Sequence, residues 1–64
     1  MKKTYRVLVF DMGHVSAVEL VEADDDDNAV MQAKAIFPQE EREVWEANRF
    51  VSRLKGAVPL RPER

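Results

Sequence analysis

Residues 4–11, Thr-Tyr-Arg-Val-Leu-Val-Phe-Asp, carry apolar side chains at both odd and even positions. A run of β-branched and aromatic residues without helical period reads as a strand, and apolar groups on both parities read as a central one. Successive side chains of a strand point to opposite faces. Tyr5, Val7 and Val9 therefore share one face, and Arg6, Leu8 and Phe10 share the other. One stretch of the chain, residues 24–37, has an unambiguous helical stripe, and one helix cannot cover both faces of a sheet. A strand that is apolar on both faces, in a chain with one clear helix to offer, needs a second cover. That requirement constrains the fold more than any other feature.

The rest of the chain supplies the partners of this strand. Asp11-Met12-Gly13-His14 reads as a tight turn, with Gly13 giving the positive φ of a hairpin. Residues 14–22 follow as a second strand, with Val15, Ala17, Glu19 and Val21 alternating against Ser16, Val18, Leu20 and Glu22. The helix is expected over 24–37. Asp24 or Asp25 caps its start, and the next aspartates favour the positive end of its dipole. Ala29, Val30, Ala33, Ile36 and Phe37 form its buried stripe, and Pro38 ends it. Residues 42–54 fit two readings. Val44, Ala47, Val51 and Leu54 make a helical stripe, whereas Glu43–Glu46 and Arg49–Leu54 make two strands about a turn in which Asn48 tolerates the left-handed conformation. Periodicity alone favours the hairpin narrowly. Gly56, Pro59 and Pro62 mark residues 56–64 as a flexible tail following a single domain over 1–55.

Size and composition bound the function. A 64-residue chain buries only about 60% of the surface its unfolded form exposes, so its core is marginal and a staple is expected. There is no cysteine and one histidine, His14. Disulfides and thiolate or histidine-rich metal sites are thereby excluded, and self-association is the staple left. The apolar run Val7–Phe10 is too short for a signal-peptide core or a membrane span, so the expectation is a cytoplasmic protein with no membrane partner. The net charge of −2 conceals a pattern: residues 1–10 carry +3, residues 11–48 carry −9 and residues 49–64 carry +4. If the chain ends meet in space, the molecule has a basic and an acidic side.

No constellation in the sequence is catalytic. Asp24-Asp25-Asp26-Asp27 lacks the central glycine and the closing glutamate of a calcium loop, and reads as a cap and solubilising helix start. His14 has no nucleophile or second histidine at useful spacing. Trp45, Phe50 and Tyr5 are stacking candidates for nucleic acid, with Arg6, Arg49 and Arg53 as a candidate basic patch for phosphates, although a large aromatic in so small a domain is expected in the core. Leu8, Phe10, Val18, Leu20 and Val51 are the candidate interface, because they fall on the face the helix leaves open. Pro59-Leu60-Arg61-Pro62 matches a minimal proline-rich ligand pattern, and a passive tail is the simpler reading.

Several segments taken in order carry a resemblance. They are Tyr5-Arg6 opening a strand that ends in Asp11, Gly13-His14, Glu22-Ala23-Asp24-Asp25-Asp26 before an alanine-rich helix, and Glu43-Val44-Trp45 with Arg49, Val51 and Leu54. Over residues 4–55 this order is similar to a group of short alphaproteobacterial proteins to which no function is attached. The usual glycine or glutamine after the tryptophan is missing here, and the tail after Lys55 is longer. The resemblance implies strand, strand, helix and a tryptophan-bearing hairpin, and so favours strands over 42–54. The expected fold is α+β, ββαββ, a small antiparallel sheet with one helix packed on one face. The expected function is a non-catalytic protein-interaction module without cofactor, a homodimer through the apolar sheet face or a binder of another protein. The alternatives are a nucleic-acid binder using the basic strand face, or an acidic decoy that imitates a phosphate track.

Overall fold

The computed structural model describes residues 1–56. Four strands and one helix follow one another as β1 (Lys3–Asp11), β2 (His14–Ala23), α1 (Asp26–Lys34), β3 (Glu41–Glu46) and β4 (Arg49–Leu54). The strands form one antiparallel sheet in the order β2-β1-β3-β4, so β1, the strand apolar on both faces, is central. Residues 42–54 are thus a hairpin and not a helix. The tail expected at 56–64 lies outside the described residues except for Gly56.

The β1–β2 hairpin turns on Met12 (φ 54) and Gly13 (φ 82). Two successive left-handed residues match the right-handed twist of the flanking strands. In the β3–β4 turn the left-handed residue is Ala47 (φ 53), not the Asn48 expected from its tolerance of that conformation. The Ala47 carbonyl accepts a hydrogen bond from Arg6 Nη2 on β1, which holds the turn in this orientation.

Two irregularities change which side chains share a face. The first lies in β2: Val9 pairs with Ala17 but Phe10 pairs with Val15, so Ser16 is the extra residue. Val15 therefore leaves the Ala17–Val21 side and joins Phe10. The second lies in β4: Val44 pairs with Ser52 but Trp45 pairs with Phe50, so Val51 is the extra residue. A bulge of this kind leaves one residue unpaired and bends the strand. It carries Val51 against the buried cluster, away from Leu8, Phe10, Val18 and Leu20, which corrects its expected place in the interface.

The core is one cluster: Tyr5, Val7 and Val9 of β1, Val21 and Ala23 of β2, Ala29 and Ala33 of α1, and Val44 of β3. The two alanines let the helix axis come close to the strands. Asp25 is the helix cap, in extended conformation (φ −154), with its carboxylate accepting from the Asn28 N–H at 2.8 Å. Gln32 Nε2 donates to the Glu22 carbonyl at 2.7 Å, tying the helix to the end of β2.

The helix is shorter than expected. It ends at Lys34 with Ala35 as its cap, and Phe37, expected in its buried stripe, lies in a turn with φ 42 and half its surface exposed. Two causes act together. Pro38 disfavours the right-handed helical conformation for Phe37. The carbonyls of Ala33, Lys34 and Ile36 are taken by the guanidinium of Arg42, which caps the helix one turn before the proline.

Candidate functional site

Register places the apolar side chains that the core does not use. Directly opposed residues share a face. Arg6 is opposite Leu20, Leu8 opposite Val18 and Phe10 opposite Val15. Across the other edge of β1, Arg6 is opposite Trp45, Leu8 opposite Glu43 and Phe10 opposite Glu41, while Trp45 meets Phe50 and Glu43 meets Arg53. The face opposite Tyr5, Val7 and Val9 is therefore divided. One half is a continuous apolar field of Leu8, Phe10, Val15, Val18 and Leu20. The other half is charged, with Glu41, Glu43 and Arg53. Trp45 and Phe50 close the row at one end, edge to face, with ring centroids 5.4 Å apart and planes at 78°. Val15, Val18 and Phe50 are about half exposed, and Leu20 is 67% exposed. Four of the five expected interface residues thus lie together. Val15 and Trp45 join them, the first through the β2 bulge that alternation did not reveal.

Trp45 is partly buried rather than a core residue, and its Nε1 donates to Glu43 Oε1 at 3.1 Å. Together with the Arg53 bond, this holds the Glu43 carboxyl below the usual carboxylate range, with the Trp45 hydrogen bond the larger influence.

The three arginines of the expected basic patch are each engaged separately. Arg6 is bound to the Ala47 carbonyl. Arg53 sits between Glu41 and Glu43, at 3.4 and 2.8 Å. Arg49 forks onto Asp26, at 3.0 and 2.8 Å, and also meets Glu46. A guanidinium paired with carboxylates offers less positive potential to a phosphate than an unpaired one, and Arg49 and Arg53 are paired in this way.

Asp26 belongs to a buried-to-exposed chain of groups. The Tyr5 hydroxyl, fully enclosed, donates to Asp26 Oδ1 at 2.8 Å, and Arg49 holds the same carboxylate from the solvent side. The Arg49 hydrogen bonds, followed by that of Tyr5, lower Asp26 to about 2. Burial first, and then the Asp26 carboxylate, push the Tyr5 hydroxyl up to about 12. The arrangement pins the helix start to β1 and β4. It holds both groups in their ordinary protonation states near neutrality, so neither is poised to exchange protons there.

Arg42 is the residue that sequence reasoning missed. It is 4% exposed, and every hydrogen bond its guanidinium makes is to a backbone carbonyl. Nη1 reaches Ala33, Lys34 and Ile36 at 3.0, 3.1 and 3.2 Å, Nε reaches Glu40 at 2.9 Å, and Nη2 reaches Lys55 at 3.0 Å. The last carbonyls of a helix lack intrahelical partners and carry the negative end of its dipole, which is what a buried cation needs. The signal was present in the alternation, because Arg42 and Val44 share a parity and Val44 is core.

An open groove of about 520 Å³ runs between α1 and β4, with Val30, Met31 and Val51 as its apolar part, Asp27 at one end and Lys34 at the other. His14 is exposed in its turn. Among the described residues no group of three or more His, Cys, Asp or Glu side chains is arranged to hold a metal ion, and no helix is long and apolar enough to cross a membrane. No family model, curated protein or solved structure matches this chain.

Proposed function

We propose that this protein is a non-catalytic interaction module that pairs with a second copy of itself through the sheet face carrying Leu8, Phe10, Val15, Val18 and Leu20, with α1 as the cover of the opposite face. The observation that carries the reading is the continuity of those five side chains across two strands at matching register, with Val15, Val18 and Leu20 at least half exposed. Contiguous exposed apolar surface of this kind marks an interaction site. Its burial is worth roughly 1.5–3 kcal/mol per large side chain, a large share of what a chain this short has to spend.

The face, and not the sheet edge, is the surface that pairs. The long edge strand β2 carries Glu19, which stands opposite the buried Val7, and it is kinked at Ser16. An exposed charge on the core-side face of an edge strand and a bulge are devices that discourage strand addition at an edge. On the face, by contrast, the charged half holds both signs, Glu41 and Glu43 beside Arg53, so opposite charges can meet across two copies there.

Sedimentation equilibrium of the wild type tests the reading. The expected mass is twice the 7.4 kDa of one chain. A single-chain mass at high micromolar concentration removes it. If nucleic acid were the partner instead, binding would weaken steeply with salt, and it would have to draw on Arg49 and Arg53, already paired with carboxylates, and on Arg6, bound to the Ala47 carbonyl. An acidic decoy would engage a basic protein through the segment around Asp24–Asp27, and its complex would survive Leu20→Glu.

A further inference from the structure

We propose that α1 carries a second self-pairing surface, on which the helix of one copy lies antiparallel against that of another, with Asp27 against Lys34 at both ends and the Met31 side chain of each copy seated in the other's groove between α1 and β4. The proposal does not depend on the sheet-face reading, which concerns the opposite side of the molecule.

Three observations lead to it. The first is position along the helix. Asp27, Val30, Met31 and Lys34 recur at i, i+3, i+4 and i+7, and all four line the groove. At 3.6 residues per turn they occupy about 100° of arc on one side of α1. The buried Ala29 and Ala33, which pack against the sheet, lie on another side. Asp27, Met31 and Lys34 are exposed and Val30 is partly buried, so this stripe is not consumed by the core.

The second observation is the symmetry of the charges. The midpoint between Asp27 and Lys34 falls between Val30 and Met31. A two-fold axis through that point turns α1 end over end. Asp27 then meets Lys34 of the second copy, Lys34 meets its Asp27, and Met31 meets its Val30. A two-fold contact needs a surface that complements itself in this way. The antiparallel arrangement also sets the positive end of each helix dipole beside the negative end of the other. Asp25 is used as the helix cap and Asp26 is held by Arg49 and Tyr5, whereas among the described residues no ion pair uses Asp27 or Lys34.

The third is shape. Met31 stands on the wall of a groove of about 520 Å³ whose other apolar lining is Val30 and Val51, and the methionine is 68% exposed. An unbranched thioether side chain fills an irregular apolar gap readily. The two-fold contact uses both projections and both grooves at once. Exposed ion pairs contribute little each, and one methionine from each copy is a small apolar contact. This pairing therefore needs a higher protein concentration than pairing through the sheet face. Where both form, each copy has a neighbour on two sides and the pairs join into rows.

The experiment uses the full chain in the Leu20→Glu background, which removes the sheet-face contact, at about millimolar concentration. Isotope-labelled and unlabelled chains are mixed, and nuclear Overhauser contacts between chains are read. Contacts from the Met31 methyl group to Val30 and Val51 of another chain are expected. Asp27→Lys alone and Lys34→Asp alone each place like charges at both ends of the pair, and each is expected to lose the contacts. An equimolar mixture of these two variants places opposite charges at both ends and is expected to regain them. The proposal is overturned if the contacts are missing both in this background and in the otherwise wild-type chain. It is equally overturned if the mixture fails to regain them while both variants keep the core signals of the wild type. Sheet-face pairing is read separately, from the mass of the wild type at micromolar concentration, so either contact can fail without the other.

Discussion

Arg42 shows how a single buried cation can organise the end of a helix, a loop and the chain exit at once. Its partners are all carbonyls, so its charge is offset by dipoles and not by a carboxylate. Removing it takes a donor from the partly buried carbonyls of Lys34, Ile36, Glu40 and Lys55, while that of Ala33 keeps the Ile36 N–H, and a carbonyl left unpaired away from water costs about 1–3 kcal/mol. Arg42→Leu is therefore expected to lower stability by at least about 3 kcal/mol, read by urea denaturation. Arg42→Lys is expected to recover little of this, because one ammonium cannot span carbonyls that the planar fork reaches from three nitrogens. Full recovery by lysine would mean that charge alone matters at this site. Asp26 provides a second test. Its folded value of about 2 lies below its ordinary value of 3.8, so its contribution to stability is present above pH 3.8 and is lost as pH falls towards 2. In the Asp26→Asn variant that part of the acid transition should flatten. A carboxyl titration midpoint for Asp26 near 4 would show that the Arg49 and Tyr5 bonds do not persist in solution.

At the scale of elements, the helix and its exit turn account for the largest difference from the sequence reading. The stripe Ala29, Ala33, Ile36 and Phe37 has the correct spacing, yet only the alanines are buried and the helix stops at Lys34. Because Phe37 is half exposed, Phe37→Ala is expected to cost less than Val44→Ala, about 2 kcal/mol for two buried methyl groups and the void they leave. Phe37→Gly adds a sharper test. At φ 42 a side chain is strained by roughly 1 kcal/mol and glycine is not, so Phe37→Gly should be at least as stable as Phe37→Ala. Were Phe37 instead in a helical turn, glycine would be the worse of the two by about the same amount.

For the whole molecule, the two faces of the sheet are unequal in what they have to pack against. Tyr5, Val7 and Val9 are enclosed, while Leu8 and Phe10 are only partly buried and their neighbours on β2 are exposed. If pairing through that face completes the core, unfolding is coupled to association and the thermal midpoint rises with protein concentration. Leu20→Glu changes a side chain that one copy leaves exposed, so it should leave the fold intact while removing both the doubled mass and the concentration dependence. A midpoint independent of concentration in the wild type would mean that one copy is stable with this face in water.

Much of this architecture was legible in the residues. The two hairpins, the cap among the aspartates and the central position of β1 follow from alternation, turn chemistry and helix-end preferences, which act over a few neighbouring residues. Periodicity alone separates the second hairpin from a helix only narrowly. Three features were decided only by tertiary structure. The bulges at Ser16 and Val51 depend on the partner strand, since one extra residue is visible only against a register. The end of α1 depends on Arg42, eight residues beyond Lys34, whose guanidinium competes for the last carbonyls before the apolar stripe runs out. The separate partners of Arg6, Arg49 and Arg53 depend on which carboxylate or carbonyl each meets across the fold. Local sequence determines which conformations a segment prefers. Which side chain meets which polar group is settled by long-range pairing, because a buried charge or carbonyl takes its partner from wherever the chain brings one within reach.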